Sequence, residues 1–530
     1  MARRILRRMR RFPPLARILH SVLNLRITDG TLLAVATALA LATPFLFVDF
    51  VPSTDLPQHL AQVRLLLETL GGQHRGALDI HWFSPNTLVY LLLWAMWSIF
   101  PPILAGKMTM LVIAQVWAGA VFVLARAYRR PPESAALASL LTFGASFYWG
   151  FMSFLIGWPL FALWLILLKK RDEAIAKWAT LFQLAACALA LLLSHALWFL
   201  AGIAVLLLGD AIRRAPMRVM ARHGLAIAPT ALFAIVWYRQ FSAFREAFRF
   251  DTQAHWGTRP WDRLAPSWLV DASLGGVRGP LEVVIVIGIA LWIVLSVATR
   301  LREFRTTGDA RLGLAAVCLL AVALCGPDKY MNTIHFASRW FPPAVVLLLL
   351  ALPAPKLPRG LLLSLPLILL TGLSIVTGSF WKEYESSELS GLRESLNVIP
   401  GNSRTLGLDF VGQSALLKGR PFLQIFAYAQ VIHGGDLNFS FVNHQSGIVV
   451  QTDPPRRTWN PTLEWFPERV TPQDFAQFDI AIVNGTEELH GRLAKLGLVT
   501  PLTTGGRWRA YRCNHPSSVG NEREGSGSQP

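Results

Sequence analysis

Charged side chains are scarce in this 530-residue sequence: only 15% of its residues are charged, while 53% are hydrophobic. An average soluble domain is about one-quarter charged, so the composition argues against a soluble globular protein. Cysteine is also scarce, with 4 residues, which excludes a disulfide-stapled scaffold. Glycine and proline occur at ordinary levels (39 and 33), which excludes a collagen-like or disordered chain. What the sequence has instead are long hydrophobic runs and an excess of basic residues.

Much of the net charge of +18 precedes the first hydrophobic run. The first 26 residues contain arginines but no acidic residue, and the run at 31–48 is long enough to cross a bilayer about 30 Å thick. A signal-peptide cleavage site would need small residues where Pro44, Phe45 and Phe47 stand. We therefore expect residues 1–29 to be a basic cytoplasmic N-terminus before a retained first span. Basic flanks of this kind mark membrane topology, so no nucleic-acid partner is expected.

Hydrophobic runs of about bilayer-spanning length follow one another up to residue 380. They are continuous rather than alternating, which is typical of membrane helices and not of barrel strands. We expect an α-helical polytopic membrane protein with about 11–13 transmembrane helices over residues 30–380. The basic clusters assign outer loops to 49–86, 241–280 and 326–340.

One part of this topology stays open in the sequence. The positive-inside rule assigns the basic cluster at 126–130 to the cytoplasmic side. If both hydrophobic runs between residues 87 and 125 crossed the bilayer, that cluster would lie outside. Either one of the two runs does not cross fully, or the cluster is an exception to the rule.

The composition changes after residue 380, where the long hydrophobic runs stop and turn residues become frequent. Strand or helix patterns occur at 405–410, 479–483, 487–496 and 508–513. They predict a small C-terminal α/β domain over 381–515, on the outer (periplasmic or extracellular) side of the membrane. The polar tail at 516–530 is expected to be disordered.

The first outer loop opens with Asp-Leu-Pro-Gln-His at 55–59, followed by an amphipathic stretch. This pattern predicts a helix that lies along the membrane surface. Asp55 has two candidate roles, the N-cap of that helix or a general base. A carboxylate beside His59 at the membrane edge suits general-base work, because partial burial raises the pKa of a carboxylate.

An apolar span followed by Asp-x-Pro-x-His resembles the GT-C membrane glycosyltransferases, which include the protein mannosyltransferases and the aminoarabinose transferases. Three further segments are similar to bacterial members of that superfamily: Tyr-Trp-Gly-Phe-Met-Ser-Phe-Leu-Ile-Gly at 148–157, Leu-Ser-His-Ala-Leu at 193–197, and the closing region 478–512. His195 lies in a turn between two spans, where we expect it to cap or pack rather than to react.

The resemblance implies an inverting enzyme of the bacterial plasma membrane that uses a polyprenyl-phosphate sugar as donor. Transfer would occur on the outer face, to a lipid, glycan or protein acceptor. Asp55 matches the position of the family's first-loop acid, with Asp49 as the fallback. Family members often have a second acidic site, for which Asp79 and His81 are candidates here. A divalent metal is left open, and no metal ligands are assigned.

A leaving polyprenyl phosphate needs cationic partners, and Arg offers the better bidentate geometry. In the loop 326–340, Arg339 is the main candidate, with Lys329 and His335 as further substrate-binding candidates. An interfacial anchor is the alternative role of Arg339. In the loop 241–280, Arg259 stands among tryptophans that suit sugar stacking or an interfacial aromatic belt.

Two other functions stay open beside the glycosyltransferase. A transporter or lipid flippase would need ionisable residues deep inside the spans, or interrupted helices repeated in two halves. The predicted spans are almost free of charge and show no such repeat, which favours the transferase. The other alternative is a non-catalytic relative of the GT-C enzymes.

Overall fold

The computed structural model describes residues 28–171, 178–247, 251–300, 303, 308–331, 333–444, 447–453 and 458–514. Almost all of the predicted cytoplasmic N-terminus (1–29), and the whole predicted tail 516–530, lie outside these residues. The helices described are α1 (Asp29–Ala42), α2 (Leu56–Leu70), α3 (Thr87–Trp97), α4 (Pro102–Ala127), α5 (Pro132–Ser139), α6 (Ala145–Trp149), α7 (Met152–Arg171), α8 (Trp178–Ser194), α9 (Ala196–Ile212), α10 (Met217–Ala247), α11 (Pro266–Ser273), α12 (Leu281–Arg300), α13 (Ala310–Cys325), α14 (Phe341–Ala351), α15 (Arg359–Glu383), α16 (Leu392–Asn397), α17 (Tyr428–His433), α18 (Pro472–Phe475) and α19 (Glu487–Lys495). The strands described are β1 (Leu78–Ile80), β2 (Thr405–Asp409), β3 (Val449–Gln451), β4 (Ile480–Asn484), β5 (Val499–Pro501) and β6 (Trp508–Cys513).

Six helices among the described residues are long and apolar enough to cross a membrane: α1 with its continuation to Leu46, α4, α7, α10, α12, and α15 with its continuation to Glu388. Five shorter apolar helices accompany them: α3, α8, α9, α13, and the segment Ser338–Ala351 that contains α14. Continuous apolar runs form helices in lipid because a helix satisfies its own backbone polar groups. The chain is thus an integral membrane protein with a mainly helical fold, as the sequence predicts.

The contacts at the helix ends answer the topology question at 87–130. Lys107, near the start of α4, donates a hydrogen bond to the Val48 carbonyl, so α4 begins beside the far end of α1. The hydroxyl of Tyr90, near the start of α3, lies 2.8 Å from Nδ1 of His59 in α2, so α3 starts at the same end of the bundle at which α4 begins. The run at 88–100 therefore does not cross fully. Of the two alternatives left by the sequence, the structure favours this one.

The predicted cytoplasmic clusters meet at one end of the bundle, called here the Asp29 end. Arg359 forms an ion pair with Asp29 at the start of α1. Arg130 donates a hydrogen bond to the Ala351 carbonyl at the end of α14. Arg300, at the end of α12, donates a hydrogen bond to the carbonyl of Ala354, which follows α14 in the chain. The opposite end, where α2 begins, is called the Asp55 end.

The region after residue 383 lies at the Asp55 end and contains a four-stranded sheet in the order β2-β4-β6-β5. The central strand β4 pairs in parallel with β2 and antiparallel with β6. Alternate residues of β4 serve two different cores, since successive side chains of a strand point to opposite faces. Ile480 and Ile482 pack into the core shared with the membrane helices, whereas Ala481 and Val483 pack into a smaller core of the C-terminal region.

The helix α2 is confirmed, but it is not a helix with one face open at the membrane surface. Eleven of its residues are buried, and the side chains of Gln58 and Gln62 contact the C-terminal region instead of water. Gln58 hydrogen-bonds the side chain of Gln424 and the carbonyl of Phe439. After α2, the strand β1 pairs antiparallel with β3, so the first loop and the C-terminal region share a two-stranded sheet. Amphipathic periodicity alone does not distinguish a membrane surface from a protein surface as the partner.

Candidate active site

Two segments that the sequence singles out are joined by backbone hydrogen bonds at the Asp55 end. The Thr54 and Asp55 amides donate to the carbonyls of Tyr148 and Trp149, at N···O distances of 2.8 and 3.1 Å. The Ser53 hydroxyl donates to the Phe147 carbonyl at 3.0 Å. The Asp-x-Pro-x-His segment is therefore held against the break between α6 and α7.

Gly150 makes this close approach of the two segments feasible. Its φ of +79° lies in the left-handed region that glycine tolerates best. A Cβ atom at this position would come within 2.8 Å of the Asp55 amide nitrogen and 3.0 Å of the Asp55 Cβ. Glycine is therefore required here both by the backbone conformation and by the contact with Asp55.

Asp55 occupies the N-cap position of α2, but its side chain makes no capping hydrogen bond. The side chain instead lines an internal cavity, and among the described residues nothing donates a hydrogen bond to its carboxylate. Burial raises the pKa of Asp55 to about 8, and the nearby positive charge of Arg339 opposes this rise. A carboxylate that caps nothing and binds protons near neutral pH has the properties of a general base.

Arg339, immediately before α14, lines the same cavity and is 4% exposed. Its Nε donates to the His335 carbonyl at 3.1 Å, and its guanidinium carbon lies 4.2 Å from the centre of the Phe151 ring. The charges of Arg339 and Asp55 act on each other, but the structure records no direct ion pair between these two described residues. A buried guanidinium with no carboxylate bound to it is suited to an anionic ligand.

His59 lines the cavity one helical turn after Asp55 and is held by the protein. Its Nδ1 lies 2.8 Å from the Tyr90 hydroxyl, and the ring also hydrogen-bonds the Gly150 carbonyl. Burial lowers the pKa of His59 to about 4, so the imidazole is neutral at physiological pH. These contacts make His59 part of the frame that positions Asp55.

The cavity has a volume of about 1270 Å³, larger than most small-molecule sites, and it lies between the membrane helices and the C-terminal region. One wall comes from the loops and helix ends at the Asp55 end. The other comes from the C-terminal region. The polar and aromatic residues on the walls include His81, Trp149, His195, Tyr238, Arg245, Tyr330, Gln424, Glu464 and Trp465.

The remaining predicted site residues lie at different distances from this cavity. His81 is on its wall, and the ring of His335 packs 4.7 Å (between centres) from the ring of Trp149. Burial, with a smaller effect of Arg339, lowers the pKa of His335 to about 4. Asp79 is two-thirds exposed on β1 and lies 3.8 Å from His81, outside the cavity wall.

Three predicted or fallback residues have ionic or aromatic partners elsewhere. Lys329 forms an ion pair with Asp251 at 3.0 Å, and Arg259 lies over the ring of Trp261. Asp49, the fallback base, forms an ion pair with Arg393 at 2.6 Å. None of the three lines the cavity, so the structure does not bring them together with Asp55 and Arg339. The substrate-binding roles of Lys329 and Arg259, and the fallback role of Asp49 as base, stay predictions.

No group of three or more His, Cys, Asp or Glu side chains in the described ranges is arranged to hold a metal ion. Asp79 and His81 supply two ligands at most, on an exposed strand. These residues do not fit a protein metal site, which takes at least three protein ligands. No step of the chemistry is therefore assigned to a metal.

Sequence reasoning did not find the part of the site that the C-terminal region supplies. Glu464 and Trp465 line the cavity, yet nothing in the spacing of 461–466 relates them to a loop 400 residues earlier. Arg245 also lines the cavity; it belongs to the predicted outer loop 241–280, whose first residues the structure includes in α10.

Neither a protein-family model nor a curated protein sequence matches this chain. The chain is similar in structure to ArnT from Cupriavidus metallidurans in the apo state, with a TM-score of 0.53, 13% sequence identity, and coverage of 91% of this chain and 97% of that chain. It is also similar to the same protein bound to undecaprenyl phosphate, with a TM-score of 0.51, 12% identity and the same coverage. The likeness extends over nearly both full chains. It shows that this protein has an ArnT-like fold, in agreement with the fold that the resemblance in sequence implies.

Proposed function

We propose that this protein transfers a sugar from a polyprenyl-phosphate donor to an acceptor hydroxyl, with Asp55 as the general base. One observation carries the proposal. The Asp55 carboxylate, which has no hydrogen-bond partner among the described residues, and the buried Arg339 guanidinium line one cavity at the end of an ArnT-like fold. The solved relative that binds undecaprenyl phosphate supports a polyprenyl-phosphate lipid as the donor class.

In the proposed reaction, the hydroxyl oxygen of the acceptor attacks the anomeric carbon of the donor sugar. Asp55 accepts the proton of that hydroxyl. The bond between that carbon and the phosphate oxygen breaks, and its electron pair goes to the phosphate. The leaving polyprenyl phosphate gains one negative charge, which Arg339 stabilises. Stabilisation that grows with this charge lowers the barrier more than it strengthens donor binding. A single displacement of this kind inverts the configuration of the sugar.

The basic clusters at the Asp29 end support a cytoplasmic position for that end, by the positive-inside rule. The cavity and the C-terminal region then face the periplasm or the exterior of a bacterial plasma membrane. A donor embedded in the outer leaflet would present its phosphate at the depth of Arg339. A lipid or glycan acceptor, or a protein, would enter from the C-terminal side.

The test is a transfer assay with purified protein in lipid nanodiscs. A panel of polyprenyl-phosphate sugars is incubated with cell-envelope acceptors, and the release of polyprenyl phosphate and the labelled product are both measured. We expect Asp55→Asn to lower the rate by a factor of about 10²–10⁴, the usual contribution of a general base. Asp79→Asn is the matched control, since it removes an exposed carboxylate from the same loop, and it should keep most of the activity.

Three results would contradict parts of this proposal. Undiminished transfer by Asp55→Asn would remove Asp55 as the base. The absence of transfer from every donor in the panel would reject the enzyme class in favour of a non-catalytic relative. Movement of the intact donor across a vesicle bilayer without any product would support the transporter or flippase alternative.

A further inference from the structure

His195 has a role in the fold that fixes the position of its proton. It occupies the N-cap of α9, and its Nδ1 accepts a hydrogen bond from the Leu197 amide at 3.2 Å. The capping role expected from the sequence is therefore present. An amide N–H that points at Nδ1 requires a lone pair there, so Nδ1 carries no proton. The proton of the neutral imidazole then resides on Nε2.

No described residue accepts a hydrogen bond from the Nε2–H group of His195. His195 lines the cavity, and among the described residues no hydrogen-bond partner is recorded for its Nε2 atom. His195 is half-buried, and an N–H donor shielded from bulk water is normally paired with a protein group or an ordered water. A donor that faces an internal cavity without a protein partner is available to a ligand.

His195 and Arg339 both contact the ring of Phe154. The His195 ring is perpendicular to that of Phe154, with 5.8 Å between the centres, and the Arg339 guanidinium carbon lies 5.5 Å from the same Phe154 centre. The charge of Arg339 also acts on His195. One cation and one neutral donor are thus placed side by side on the cavity wall, and the cation disfavours a second positive charge on the imidazole.

We propose that His195 donates a hydrogen bond from Nε2 to the phosphate of the polyprenyl-phosphate donor, next to Arg339. This inference rests on the proposed transferase function and adds a substrate-binding residue to it. The His195–phosphate hydrogen bond becomes stronger as the leaving phosphate gains charge, so it contributes more to the transition state than to donor binding. No proton is transferred, and the imidazole stays neutral throughout.

Two substitutions separate the cap from the phosphate contact. His195→Asn keeps a good N-cap oxygen near the position of Nδ1 but loses the Nε2 donor. His195→Gln reaches with its amide N–H to about the position of Nε2 but weakens the cap. The measurements are kcat and KM for transfer, equilibrium binding of polyprenyl phosphate against polyprenol without phosphate, and the thermal midpoint of each variant.

We expect His195→Asn to melt like the wild type, to lose about 10- to 100-fold in kcat, and to bind polyprenyl phosphate more weakly while binding polyprenol unchanged. His195→Gln should retain more of the activity despite a lower thermal midpoint. Wild-type transfer and binding by the Asn variant would overturn the inference and leave the transferase intact. If only the Gln variant loses activity, His195 is a cap and nothing more. If the wild type binds polyprenyl phosphate no better than polyprenol, the proposed function itself fails, and the inference with it.

Discussion

Two groups of ionisable residues at the Asp55 end differ in whether their side chains pair with one another. The cavity site consists of Asp55, His195 and Arg339. The outer ion-pair cluster consists of Asp251, His255 and Lys329. In the outer cluster, Asp251 hydrogen-bonds Lys329 at 3.0 Å and His255 at 2.8 Å, and all three side chains are at least one-third exposed. In the cavity site, the described structure records neither a direct ion pair nor a hydrogen bond to the Asp55 carboxylate.

The pKa values of the two acids move in opposite directions for this reason. Burial raises the pKa of Asp55 to about 8. The hydrogen bond from Lys329, helped by the Gln253 amide and His255, lowers the pKa of Asp251 to about 2. Opposite charges that pair with each other stabilise a loop. Desolvated ionisable groups without partners lower stability, and they are typical of functional sites. We therefore expect side chains of the same charge, Asp55 and Asp251 or Arg339 and Lys329, to differ in function because their surroundings differ.

Replacing one cation in each group should give the largest contrast. Arg339→Gln is expected to lower kcat/KM by about 10²–10³, because it removes the buried charge that faces the leaving phosphate. Lys329→Gln should change kcat/KM less than about threefold, since an exposed ion pair is screened by water and contributes little. Transfer assays on both variants, with Arg339→Lys as a charge-retaining control, measure this. A larger loss of kcat/KM in Lys329→Gln than in Arg339→Gln would show that the donor phosphate binds at the outer ion-pair cluster.

The glycine that approaches Asp55 offers a matched test of the frame around the cavity site. Gly150→Ala brings a Cβ atom within 2.8 Å of the Asp55 amide, in addition to left-handed strain. Gly76→Ala has nearly the same φ, +78°, and no atom within 4 Å of the new Cβ. Both should lose about 1–2 kcal/mol of stability from backbone strain, but only Gly150→Ala should lose at least about tenfold in transfer rate, as misplacement of reacting groups does. Equal activities in the two variants would show that the position of Asp55 tolerates this shift.

The pH dependence of kcat/KM should follow the pKa of Asp55 and not that of Asp251. A general base works only when ionised, so the rate should fall as the pH drops below about 8, with a slope of about tenfold per pH unit. Arg339 opposes the raised pKa, so residual activity of Arg339→Gln should have its inflection at higher pH. Asp251→Asn should leave the profile unchanged. An inflection near pH 4 in the wild type would mean that Asp55 is not the group that limits the reaction.

The smallest effects are expected in thermal stability, where the two acids should have opposite signs. The folded-state pKa of Asp55 exceeds its ordinary value of 3.8, so ionisation of Asp55 destabilises the fold increasingly between pH 4 and 8. Asp55→Asn should therefore raise the melting temperature at pH 8 more than at pH 5. The pKa of Asp251 is depressed, so its ionised form stabilises the fold above about pH 4 and loses this effect as the pH falls towards 2. Asp251→Asn should lower the melting temperature slightly at neutral pH, and thermal unfolding monitored by tryptophan fluorescence at several pH values would detect both shifts.

The sequence determined those features that depend on neighbouring residues in the chain. Continuous apolar runs specify membrane helices, and the strand patterns at 405–410, 479–483 and 508–513 correspond to β2, β4 and β6. The motif at 55–59 pointed to Asp55, and a lone arginine at the start of a span pointed to Arg339. Both side chains line one cavity. Each of these inferences used the type of a residue and its near neighbours only.

Only the tertiary structure decided which charges have partners. Asp55 and Asp251 are both loop aspartates. Asp251 pairs with Lys329, 78 residues away in the chain. The backbone of Asp55 is bonded to the segment 147–150, and its carboxylate lies near Arg339 without a direct ion pair. The failure of α3 to cross, the burial of α2 and the cavity wall from the C-terminal region have the same origin. Desolvation and ion pairing depend on distances between residues far apart in sequence, and no local pattern encodes those distances. The sequence thus identified which residues are able to react, and the fold decided which of them are left without a partner inside the cavity.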